Sequence, residues 1–170
     1  MEPQKDAIAL RRVGAATPAP VTFDVLFEDL HDRLYRALFF ITGSSADAEE
    51  LTQDAFLKLW ERWDSIGSIE DPTAWLFRVA LNGFRSRLRR LRVAARRALP
   101  GPEPTDPYDE IELREDVRRM LLGLPTRQRA ALVLTEIFGY SSEEAAGVLG
   151  IRATTVRVLA SQGRAALRAT

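Results

Sequence analysis

Two small all-α domains joined by a flexible linker are predicted by three features of the sequence. Apolar residues recur at three- and four-residue spacing along the chain, and no stretch alternates as a strand would. A proline-rich segment, LPGPEPTDPY at 99–108, separates residues 22–98 from residues 109–170. The last two helical patterns have helix-turn-helix proportions. A chain of 170 residues with 46% hydrophobic and 28% charged residues accommodates two such domains and excludes wholesale disorder.

Residues 1–21, with Pro3, Pro18 and Pro20 and little periodicity, are expected to be a disordered tail. The first helix starts near Thr22 or Phe23, carries Leu26, Leu30, Leu34, Leu38 and Ile41 on one face, and ends at Gly43. Ser44 and Asp47 match a capping box for the second helix. Its core stripe is Ala48, Leu51, Ala55 and Leu59, with Phe56, Trp60 and Trp63 on the flank and Glu50, Asp54 and Glu61 on the other side. After a loop at 64–70, Asp71 caps the third helix and Pro72 takes its first position.

The third helix is the most informative. At 100° per residue, Arg78, Arg85, Arg89, Arg92 and Arg96 fall within about 40° of one line, with Asn82 beside them. Leu76, Val79, Ala80, Gly83, Phe84 and Leu91 take the opposite face. Solvated helix faces usually mix signs to gain i,i+4 pairs. This ridge has no acid within its helix, so a nucleic-acid contact is the favoured reading over a merely solvated face. In the C-terminal part, one helix covers 109–122, the sequence Gly123, Leu124, Pro125 breaks it, and another covers 126–138 up to Gly139. Ser141 and Glu144 form a second capping box, opening a short helix that ends at Gly150; the last helix covers 153–169. Ala146 at the helix crossing, Gly150 in the turn, and Ile151 and Val156 beneath it fit a helix-turn-helix, although any short helical hairpin shares that pattern.

Charge and composition narrow the function. The net charge of zero hides segregation: residues 85–97 carry seven arginines and no acid, residues 103–116 carry Glu103, Asp106, Asp109, Glu110, Glu112, Glu115 and Asp116 against Arg114 alone, and the remainder is again arginine-rich. Zero cysteines exclude disulfides, CxxC redox pairs and cysteine zinc sites, and the single His31 excludes an HExxH metal site. No apolar run approaches the ~18 residues of a membrane span, and no signal core precedes the first helix, so a cytoplasmic protein is expected. With no phosphate loop, nucleophile elbow or dinucleotide turn, an enzyme is the least favoured class, and no cofactor or metal is expected.

The segment DAEELTQDAFLKLW at 47–60 resembles conserved region 2 of bacterial sigma factors, and WLFRVALN at 75–82 with the following arginines resembles the end of that region. Leu124, Pro125 and Arg129, then GYSSEEAA at 139–146, LGI at 149–151 and TVR at 155–157, resemble region 4. Two such regions and a short linker, over about residues 22–168, make the chain similar to the extracytoplasmic-function subgroup. The resemblance implies a non-enzyme that docks on core RNA polymerase, directs it to promoter DNA and helps open the duplex. Asp47, Glu50, Gln53, Asp54, Phe56, Leu57 and Trp60 would meet the clamp helices of the β′ subunit, and region 4 the β flap. Trp75, Arg78, Asn82 and Arg85 would contact the −10 strand, where a base flips from the stack, with Arg89 and Arg92 on phosphates. The last helix would enter the major groove at the −35 element through Arg152, Thr154, Thr155, Arg157, Val158 and Ser161. An anti-sigma factor is a further expected partner, which would mask these faces and hold the protein at the membrane.

Region 4 departs from the family pattern. Ala145 stands where an aliphatic residue is usual and Arg152 where a Ser-like cap is usual. Ala160 and Gly163 face inward, which predicts thin packing, and Gly163 lowers helix propensity by about 1 kcal/mol relative to Ala. Weakened −35 binding is therefore expected. Two alternatives follow: a degenerate sigma-like protein that binds polymerase or an anti-sigma partner without productive promoter recognition, and a simple helix-turn-helix repressor or activator.

Overall fold

A computed structural model describes residues 22–68, 71–95 and 112–169. The expected tail at 1–21 and linker at 99–108 lie outside the described residues, as do the side chains of Arg92 and Arg96. Among the described residues the regular structure is helical: α1 (Phe23–Thr42), α2 (Ser45–Glu61), a 3-10 turn (Trp63–Ser68), α3 (Pro72–Ala95), α4 (Glu112–Leu122), α5 (Thr126–Leu132), a π turn (Val133–Ile137), α6 (Ser142–Leu149) and α7 (Ala153–Arg168).

The ends of these helices follow from local chemistry. Thr22 Oγ1 accepts from the Val25 amide at 3.4 Å to start α1, and Gly43, at φ +79°, ends it in the left-handed region. Ser44 Oγ accepts from the Asp47 amide at 3.2 Å, but the reciprocal half of the expected capping box is not made. The Ser44 amide donates to Thr42 Oγ1 at 3.1 Å instead, and the Asp47 carboxylate turns to Arg87 at 2.9 Å. Asp71 Oδ1 caps α3 through the Ala74 amide at 2.9 Å. The second box is complete: Ser141 Oγ accepts from the Glu144 amide at 3.1 Å and Glu144 Oε2 from the Ser141 amide at 2.7 Å. The helix expected over 126–138 changes pitch at Val133, and the π turn closes with the Phe138 amide on the Val133 carbonyl.

In the N-terminal half the leucine stripe of α1 packs on α2 and on Leu76, Phe77, Ala80, Leu81 and Phe84 of α3. Each fully buried leucine contributes about 1.5–3 kcal/mol. Trp63, expected on a flank, is 1% exposed and meets Phe23 edge-on at 5.4 Å, so the 3-10 turn folds it under the end of the bundle. In the C-terminal half α5 and α7 cross closely. A Cβ at Gly163 would stand 2.6 Å from Leu132 Cδ1 and 3.0 Å from Leu132 Cγ. The expectation of thin packing is corrected there: Gly163 is the point of closest approach, and a side chain would collide with a buried leucine.

The two halves pack against each other, α3 on α6 and α1 on α4 and α5. Gly43 illustrates the fit: a Cβ there would lie 2.3 Å from Leu122 Cδ2, and Arg118 donates to the Gly43 carbonyl at 2.6 Å.

Candidate nucleic-acid interface

The apolar side of α3 is locked into the bundle, which fixes the azimuth of its other side. Arg78, Asn82, Arg85 and Arg89 all emerge exposed from that other side, as the spacing predicts, while Trp75 is half-buried and packs against the core. Arg85 Nη1 donates to Asn82 Oδ1 at 3.0 Å, which ties the amide and the guanidinium together.

The ridge is met by the chain itself. Arg78 Nε donates to the Gly147 carbonyl at 2.9 Å and Arg85 Nη2 to the Leu149 carbonyl at 2.6 Å. Both carbonyls belong to the last turn of α6, where the helix leaves oxygens without intrahelical donors. The amides of Gly150 and Ile151 both go to the Ala146 carbonyl, because Gly150 turns left-handed at φ +63°. The α6 terminus therefore offers its remaining oxygens, and a partial negative charge, to α3. Desolvation, and then the charge of Arg127, push the Arg85 pKa down, so the seam brings two guanidinium groups towards each other. A cavity of about 540 Å³ opens at this seam, with Leu81, Phe84 and Leu159 on its walls and Arg85, Arg89 and Arg127 among its lining.

Two further residues hold the seam: Arg33, which has no signal in the sequence, and Tyr140, which belongs to the sigma-like segment at 139–146. Arg33 of α1 donates to the Phe138 carbonyl at 3.2 Å and lies 5.1 Å from the ring centre of Tyr140. The Tyr140 ring also meets Phe77 at 5.7 Å; its hydroxyl is buried without a partner among the described residues, and burial raises its pKa. Arg129, part of the sigma-like pattern, is buried as well, and desolvation lowers its pKa.

On α7, Thr154, Arg157, Val158 and Ser161 are exposed and Thr155 is half-buried. Arg152 stands at the N-cap with no side-chain hydrogen bond to the helix, as its identity predicts. Arg157 Nη1 is held by Glu143 Oε1 of α6 at 3.0 Å.

The expected polymerase-facing set on α2 divides. Gln53, Asp54, Leu57 and Trp60 are exposed, with Leu57 at 56% and Trp60 at 40%. Phe56 is 4% exposed and belongs to the core, because Phe27 of α1 covers it at 4.7 Å. Asp47 and Glu50 are bridged by Arg87 of α3; the hydrogen bond to Glu50 comes first among the causes that raise the Arg87 pKa. Phe27 of α1, packed on Phe56, extends the apolar surface beyond the predicted residues, and Val25 of the same helix is exposed as well. They lie off the leucine stripe, and that displacement was their only sequence signal. Among the described residues no cluster of His, Cys, Asp and Glu could hold a metal ion, and no helix is long and apolar enough to cross a membrane.

An all-helical protein with helix-turn-helix geometry at α6 and α7 is the class these elements define, and comparison with known proteins gives its family. The chain matches the family described as Sigma-70 region 2 over residues 26–93 and that described as Sigma-70, region 4 over residues 114–167. It is 34% identical over 165 residues to the ECF RNA polymerase sigma factor SigE of Mycolicibacterium smegmatis, covering 91% of this chain and 62% of that protein's length. It is 33% identical over 146 residues to the ECF RNA polymerase sigma factor SigM of Mycobacterium tuberculosis, covering 85% of this chain and 74% of that protein. Among solved structures it resembles the sigma factor RpoE of Bartonella quintana, in complex with the anti-sigma factor NepR, with a TM-score of 0.70 at 26% identity over 86% of this chain and 94% of that one. The chain belongs to the extracytoplasmic-function subgroup of the sigma-70 family. Sigma factors bind core RNA polymerase and direct it to promoters, and they are regulatory subunits rather than catalysts.

Proposed function

We propose that the exposed face of α2, centred on Leu57 and Trp60, docks on the β′ clamp helices, that α3 contacts the −10 strand, and that α7 enters the major groove at the −35 element. The observation that carries this reading is the α3 face itself: Arg78, Asn82, Arg85 and Arg89 stand out on one side of a helix whose other side is buried. Guanidinium forks suit phosphate and base edges, and an amide reads a base edge by paired hydrogen bonds. The cost of flipping a base, a few kcal/mol, falls to such contacts to offset. On α7, Arg157 is the candidate for a guanine or phosphate, and Val158, 53% exposed, for a thymine methyl. Region 4 is assigned to the β flap. A protein partner of the anti-sigma class is proposed by analogy with RpoE of Bartonella quintana, whose structure holds NepR.

The test is in-vitro transcription with purified bacterial core polymerase, with and without the protein, on sheared DNA from its own genome. New defined start sites are expected. Arg85→Glu with Arg89→Glu is expected to abolish open-complex formation while polymerase pull-down stays intact. Unchanged transcription by that double variant would overturn the α3 assignment.

A further inference from the structure

We infer that Glu143 of α6 is a positioning residue for promoter recognition: its carboxylate holds Arg157 of α7 so that the guanidinium reads a guanine edge in the −35 duplex rather than a phosphate. This rests on the reading of α7 given above.

The pair is built by both helices of the hairpin. Val156 and Ala160 are buried, at 0% and 3% exposure, which fixes the azimuth of α7 and leaves Thr154, Arg157, Val158 and Ser161 exposed. Arg157 lies in the second turn of α7, in the N-terminal part of the helix that meets base edges in a helix-turn-helix. Glu143 lies in the first turn of α6. The cap of that turn is made by its neighbours, since Ser141 and Glu144 exchange both hydrogen bonds of the capping box. Glu143 is not needed there, and its Oε1 accepts from Arg157 Nη1 at 3.0 Å. Both side chains are more than half exposed, so DNA can reach them and substitution leaves the core intact.

Charge and geometry both favour a base over the backbone. A phosphate contact draws on the net charge of the cation. Arg157 and Glu143 together carry none, and the carboxylate repels a phosphate brought to the same guanidinium. Guanine instead offers two neutral acceptors, O6 and N7, which take paired N–H donors. With Nη1 on Glu143, the Nε and Nη2 donors of Arg157 have no partner among the described residues. The ion pair also restricts a long side chain before DNA arrives, so less freedom is lost on binding.

The test uses holoenzyme assembled from the full chain and purified core polymerase, on a promoter taken from the start sites that in-vitro transcription defines. Each −35 position is changed to all four base pairs, and binding of the fluorescent duplex is measured over a salt series. The variants are Glu143→Ala, Glu143→Gln and Arg157→Ala, each with a melting curve. In the parent, one position is expected to favour guanine about tenfold, and Arg157→Ala to remove that preference. Glu143→Ala is expected to lower it about threefold, the scale of one exposed pair. The same variant should steepen the log–log salt slope by about one, because the released guanidinium takes a phosphate. Glu143→Gln, whose amide oxygen still accepts from Nη1, should restore most of the preference.

A lower Tm in Glu143→Ala, with base preference and salt slope unmoved, would reduce the pair to a brace between α6 and α7 and overturn the inference. Equal weakening of every base by Arg157→Ala, with a shallower salt slope, would make Arg157 a phosphate contact; that also overturns the inference and leaves α7 in the groove. Binding that ignores the −35 sequence and all three variants would overturn the α7 reading itself.

Discussion

Replacing Gly163 by Ala sets helix propensity against packing, and the structure decides between them. Within a helix, Ala is favoured over Gly by about 1 kcal/mol. The added methyl, however, would stand 2.6 Å from Leu132 Cδ1, 3.0 Å from Leu132 Cγ and 3.6 Å from Gln128 Cβ. Leu132 is 4% exposed, so its side chain has no open solvent to swing into. Overpacking of this kind costs about 1–3 kcal/mol, and the net expectation is a loss of about 1 kcal/mol. In a chain of 170 residues that lowers Tm by about 2–4 °C. Urea denaturation followed by circular dichroism reads it as a lower midpoint with unchanged slope. The sharper form is a double-mutant cycle. Leu132→Ala alone removes buried volume and costs about 2–5 kcal/mol; adding Gly163→Ala in that background should then recover about 1 kcal/mol or more, because the collision is gone and propensity acts alone. If Gly163→Ala stabilises the parent as much as the Leu132→Ala background, the close approach is not what selects glycine, and α7 is as loosely packed as its sequence suggests.

Leu57→Ala with Trp60→Ala is expected to weaken binding to core polymerase more than tenfold in a pull-down titration, as loss of an aromatic hot spot does, while the urea midpoint falls only modestly, Leu57 being 56% exposed and Trp60 losing its edge-on contact with Phe23 at 4.8 Å; unimpaired binding would move the docking face elsewhere. Glu144 is the pH-sensitive cap. Its hydrogen bonds with Ser141 hold its pKa below the ordinary carboxylate value, so its contribution is present above the unfolded-state pKa and is lost as pH falls through the lower folded-state value. The stability difference between the parent and Glu144→Gln should therefore shrink between neutral and acid pH, and an equal difference at pH 7 and pH 3 would show that the charge on this carboxylate contributes nothing.

Periodicity places the helices well, because burial imposes it: the α1 leucines and Arg78, Arg85 and Arg89 of α3 sit on the faces that their spacing predicts. Caps were legible where one side chain meets one amide, as at Asp71 and Ser141. The Ser44 box was only half legible, since its Asp47 carboxylate had a competing cation forty residues away in sequence at Arg87. Phe56 and Trp63 were placed on a surface flank because a helical wheel of α2 alone cannot show that Phe23 and Phe27 lie across it. Gly163 was read as erosion for the same reason: propensity is local, whereas the collision with Leu132 belongs to another helix.

The arginine ridge marks a deeper limit. No acidic side chain within α3 neutralises it, which in the sequence alone points to an external anion. The structure supplies main-chain oxygens, a partner with no residue identity to search for. On the proposed reading, neutral carbonyls suit a surface that later takes phosphate. An internal carboxylate on Arg78 and Arg85 would compete with phosphate charge for charge; carbonyls satisfy the donors and still yield to DNA. Arg157 differs in having a carboxylate partner, Glu143, but that exposed pair is worth at most about 1 kcal/mol. Arg78 and Arg85 of α3 and Arg157 of α7 thus have partners within the chain, and Leu57 and Trp60 of α2 are exposed.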